Sequence, residues 1–64
     1  MAKFRPIIDG IYQMPSGSFY RVAAAYRSAV VTQHGEYEGQ FFKAGSQLTT
    51  FPLKDFAQFA KLVG

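Results

Sequence analysis

The chain has 64 residues, with seven Lys and Arg, four Asp and Glu, one His and no Cys, for a formal charge of +3. This length fits one domain and leaves no room for a second core, and a chain this size buries only about 60% of its unfolded surface. Without cysteine there are no disulfides, and one His cannot build a Cys/His metal site, so stability falls to the seven Phe and four Tyr or to self-association.

The predicted elements begin with an arm over residues 1–9, where Lys3, Arg5 and Pro6 precede Ile7-Ile8-Asp9 and Pro6 favours extended backbone over helix. A first strand follows from about Gly10 to Met14, with a turn at Pro15-Ser16-Gly17-Ser18. Pro15 presets φ there and Gly17 suits φ > 0. A second strand begins at Phe19 and extends toward Thr32. Its Ala23-Ala24-Ala25 centre has helix propensity, but Tyr20, Val22, Tyr26, Val30 and Val31 around it favour a strand. His34-Gly35-Glu36 reads as a turn, Tyr37 to Lys43 as a third strand, and Gln47 to Phe51 as a short fourth. A helix is expected from Pro52 to about Val63, because proline suits a first helical turn and Leu53, Phe56, Ala57, Ala60 and Val63 recur at helical spacing. The fold class is therefore α+β: a three-stranded antiparallel sheet, or a four-stranded one, with one C-terminal helix packed on one face. It divides as arm (1–9), sheet (10–51) and helix (52–63).

Few residues support catalysis. Glu36 and Glu38 lie two apart on one strand face, where solvated carboxylates are the ordinary outcome, and His34 has no Ser or Cys nucleophile in a recognisable motif. No Gly-rich phosphate loop precedes a helix. The expectation is a protein without enzymatic activity and without a cofactor. No apolar run reaches the roughly 20 residues of a membrane span, and no hydrophobic segment follows the basic start as a secretory signal would require, which points to a cytoplasmic protein.

Recognition by a surface has more support. Side chains alternate along a strand, so Phe19, Arg21, Ala23, Ala25 and Arg27 are expected on one face and Tyr20, Val22, Ala24, Tyr26 and Val30 on the other. With the helix covering the Tyr/Val face, Phe19, Arg21 and Arg27 point outward. Tyr37, Phe41 and Lys43 extend that surface, Phe42 turns to the core, and Lys3 and Arg5 track phosphates. A two-stranded β-ribbon with arginines fits a DNA major groove, while aromatic rings beside cations also stack unpaired bases.

Residues 10–22, Gly10-Ile11-Tyr12-Gln13-Met14-Pro15-Ser16-Gly17-Ser18-Phe19-Tyr20-Arg21-Val22, resemble the opening hairpin of the AP2-like, arm-type DNA-binding domains of tyrosine recombinases (phage integrases). Thr49-Thr50-Phe51-Pro52-Leu53-Lys54-Asp55-Phe56-Ala57-Gln58-Phe59-Ala60 is similar to that family's third-strand end and helix. The resemblance implies a three-stranded sheet backed by one helix, its open face set in the DNA major groove. A second resemblance, of Gln47-Leu48-Thr49-Thr50-Phe51-Pro52 with Phe56 and Phe59, is to the last strand and helix of Pur-type single-stranded nucleic-acid binders, which often pair as dimers. The resulting expectation is a small DNA-binding protein of a phage or mobile element, using Arg21, Arg27, Lys43, Phe19, Lys3 and Arg5, with duplex favoured over single-stranded DNA. The alternative is a protein-interaction module that docks on a host protein. A homodimer is compatible with either.

Overall fold

The computed structural model describes residues 4–64. The chain forms a five-stranded antiparallel sheet, larger than the three or four strands expected, and one short helix. The strands are β1 (Ile11–Gln13), β2 (Phe19–Ala25), β3 (Ala29–Glu38), β4 (Phe41–Pro52) and β5 (Lys61–Leu62), with helix α1 (Leu53–Phe59) between the last two. Their order in the sheet is β4-β3-β2-β1-β5. The first four make a meander, and the chain then crosses by way of α1 to add β5 beside β1.

The first hairpin follows its turn chemistry. Gln13 pairs with Phe19, Gly17 has φ 93°, and its N–H donates to the Met14 carbonyl at 2.8 Å. The next turn carries no Gly or Pro. Tyr26 N–H donates to the Ala29 carbonyl at 2.7 Å, so the single long strand expected from Phe19 to Thr32 is instead two strands joined through Arg27 and Ser28. The expected turn at His34-Gly35-Glu36 lies inside β3, because Gly35 serves a close approach rather than a bend. A Cβ there would collide with the Lys43 carbonyl and the Phe42 ring. The chain actually reverses after Glu38, where Gly39 takes φ 61°.

One face of the sheet is closed by α1. Phe56, fully buried, packs on Tyr12, Val22 and Val30, with Met14, Phe51, Leu53 and Ala60 around them. Tyr12 meets Phe56 edge to face at 4.9 Å between centroids, and the Phe51 ring lies tilted against Phe56 at 5.6 Å. Among the described residues Thr32 is the one buried polar residue, and its hydroxyl donates to the Thr49 carbonyl at 2.8 Å, which removes the cost of an unpaired buried group.

Helix α1 has seven residues, too few to persist alone in water. No side chain caps it; instead Leu53 N–H donates to the Ser28 carbonyl at 2.9 Å, tying its start to the β2–β3 turn. It ends at Phe59, short of Val63, because Lys61 and Leu62 pair with Gln13 and Tyr12 and Val63 N–H donates to the Ile11 carbonyl at 2.8 Å. The open edge of β1 takes up the backbone that further helix would have used.

Replacing Phe56 by Ala should cost about 3–5 kcal/mol and abolish a cooperative thermal transition, whereas Phe59→Ala, at a residue 49% exposed, should cost under about 1 kcal/mol. Circular dichroism melts of the two variants check this. Gly35→Ala should destabilise by about 1–3 kcal/mol through overpacking, seen as a lowered urea midpoint with unchanged slope.

Candidate nucleic-acid interface

Strand β2 does not keep one alternation along its length. Val22 pairs with Thr32 but Ala24 pairs with Val31, so Ala23 is an extra, bulged residue. A bulge reverses which face the following side chains take. Phe19 and Arg21 point away from α1, as expected. Beyond the bulge Ala25 pairs with the core residue Val30, which places it on the helix side, opposite to expectation. Arg27 follows the end of the strand and lies in the turn beside the start of α1. Arg21 and Arg27 therefore belong to two separate surfaces.

On the helix-free face, the Arg21 guanidinium lies 5.5 Å from the centroid of the Phe42 ring and donates to the Gln33 side-chain oxygen at 2.6 Å. The Phe19 and Tyr37 rings lie tilted against each other on the same face, 5.6 Å between centroids. Phe42 thus joins this face instead of the core, because Tyr37 is its partner across the β3–β4 ladder. Lys43, expected on the same face, pairs with Glu36 and projects from the opposite one. The strand expected from Tyr37 to Lys43 is two strands joined by the reversal at Gly39, so alternation counted along it put Phe42 and Lys43 on the wrong faces. Arg21 is half-buried and already engaged, which suits cohesion of the face more than capture of a ligand.

The second surface is a groove of about 830 Å³ between the arm, the β2–β3 turn and the start of α1. Its apolar lining includes Phe4, Pro6, Ile8, Pro52, Leu53 and Ala57, with Tyr26 at its edge. Three cations, Arg5, Arg27 and Lys54, also line it, and no Asp or Glu is among the described residues that do. Each wall is held. On the arm side, Ile7 N–H donates to the Tyr12 hydroxyl at 3.1 Å, Asp9 N–H to the Val22 carbonyl at 2.9 Å, and the Phe4 ring lies 6.2 Å from Phe56. The opposite wall is fixed by the bond from Leu53 to Ser28. Tyr26 is 63% exposed, leaving its ring available for stacking.

Of the expected site residues, the structure brings Arg5 and Arg27 together in the groove and sets Arg21 and Phe19 on the far face. Lys43 stands on β4 away from both groups, and Lys3 lies outside the described residues. Tyr26 and Lys54 complete the groove without having been singled out. Simple alternation puts Tyr26 on the covered face, whereas its ring is exposed. Among the described residues no helix is long and apolar enough to cross a membrane. Neither family models, nor curated proteins, nor solved structures match this chain.

Arg21→Ala should lower stability by about 1–2 kcal/mol, since packing on Phe42 is lost along with the bond to Gln33. Arg27→Ala, at an exposed turn position, should change it by less than about 0.5 kcal/mol. Chemical denaturation of both variants reads the difference directly.

Proposed function

We propose that the protein is a non-catalytic nucleic-acid-binding module that takes an unpaired stretch of DNA or RNA along the groove. Convergence of Arg5, Arg27 and Lys54 on one concave, aromatic-edged surface without a facing carboxylate carries this reading. Phosphates pair with the three cations, and a base stacks on the exposed Tyr26 ring above the apolar floor. Unpaired nucleic acid is favoured over duplex because the cations ring a depression. A duplex-reading ribbon would need them spread over the open sheet face, where Arg21 is already bonded to Gln33. Backbone charge and ring stacking together give affinity with little sequence preference.

The test is fluorescence anisotropy with labelled oligothymidine, a matching duplex and an acidic peptide of equal charge. The oligothymidine should bind, with a salt slope of about −2 for three neutralised phosphates on a single strand. Tyr26→Ala should cost about 1–3 kcal/mol of affinity, and the combined Arg5, Arg27 and Lys54 alanine variant should lose the salt-dependent part. Binding unchanged in that triple variant, or affinity for the peptide alone, would overturn the proposal.

A further inference from the structure

We infer that β4 is a self-pairing edge, and that two copies of this chain join antiparallel through Leu48–Pro52 about a two-fold axis at Thr50. Strand β4 is one edge of the sheet and runs for 12 residues, so one side of its backbone is bonded to β3 and the other meets no strand among the described residues. Natural sheets blunt such an edge with lysine, proline or a bulge. Here the register irregularity opposite His34 falls before Leu48 and Pro52 closes the far end. Between them Leu48 to Phe51 pairs regularly with Gln33 to Val30 and carries no charge, while Leu48 is 60% exposed.

The segment is complementary to itself. Antiparallel pairing centred on Thr50 sets Thr50 against Thr50 of the second copy, Thr49 against its Phe51, and Leu48 against its Pro52. Threonine pairs and pairs of aromatic with β-branched residues are among the favourable cross-strand combinations, and no like charges are brought opposite one another. A two-fold axis perpendicular to the sheet makes the interface isologous and keeps both α1 helices on one side of a continuous ten-stranded sheet, twice the five strands of one copy. Both grooves then open on that same side. The gain matters to a small core, in which five hydrophobic residues are buried among the described residues, Ile11, Tyr12, Val22, Val30 and Phe56.

Sedimentation equilibrium of the full chain from micromolar to millimolar concentration tests this without any ligand, so its outcome is independent of the nucleic-acid proposal. The expected result is a reversible monomer–dimer equilibrium that Thr50→Lys and Thr50→Glu each abolish, and that an equimolar mixture of these two variants restores as a heterodimer. Phe41→Lys, at the hairpin tip outside the paired segment, should leave the dimer intact. Circular dichroism should show both Thr50 variants folded, since the position is exposed. A wild-type chain that stays monomeric throughout, a dimer that persists in Thr50→Lys, or a mixture that does not associate would overturn the inference.

Discussion

The edge-to-face packing of Phe56 on Tyr12 is the contact on which the rest of the molecule depends. Phe56 holds a helix too short to persist alone against the sheet, and Tyr12 presents its ring to Phe56 and its hydroxyl to the backbone of the arm. One pair of side chains therefore anchors both walls of the groove: Leu53, Lys54 and Ala57 through the helix, and Phe4 and Arg5 through the arm. The same few apolar contacts supply stability and set the spacing of the cations. In a chain this small the two roles are not separable, and a core substitution that loosens Phe56 also spreads the groove.

Much of the architecture was readable where local chemistry and global fold agree. Pro15 and Gly17 announce the first hairpin, and Pro52 followed by Leu53 and Phe56 announces the start of the helix and the side chain it buries. The β-rich surroundings of the three alanines outweighed their helix propensity, and Ala23 to Ala25 are extended. The rest was illegible for specific reasons. The turn through Tyr26, Arg27 and Ser28 has no Gly or Pro to mark it, and is held by the bond from Tyr26 to Ala29 and by Leu53 N–H on the Ser28 carbonyl. Gly35 looked like a turn because glycine marks both bends and close approaches, and here the neighbour was Lys43, distant in sequence. The length of the helix was set by pairing of Lys61 and Leu62 with β1, which no helical periodicity reveals.

The candidate site shows how one inserted residue alters a functional reading. Strict alternation puts Arg21 and Arg27 on one face and suggests a ribbon for a DNA groove. The bulge at Ala23 and the turn after Ala25 separate them. One arginine becomes a structural element, stacked on Phe42, and the other joins Arg5 and Lys54 around a depression. The single face expected to carry both arginines is thereby divided between two surfaces on opposite sides of the sheet. The expected opening hairpin is formed by β1 and β2, as two strands of a five-stranded sheet rather than of a three- or four-stranded one.

The most direct measurement of this division of labour is a two-dimensional ¹⁵N–¹H NMR titration of the labelled chain with oligothymidine. Shifts should concentrate at Arg5, Tyr26, Arg27, Leu53 and Lys54, with Phe19, Arg21, Gln33 and Phe42 unmoved. Shifts centred on the Arg21–Phe42 face, or none at saturating oligonucleotide, would contradict that division.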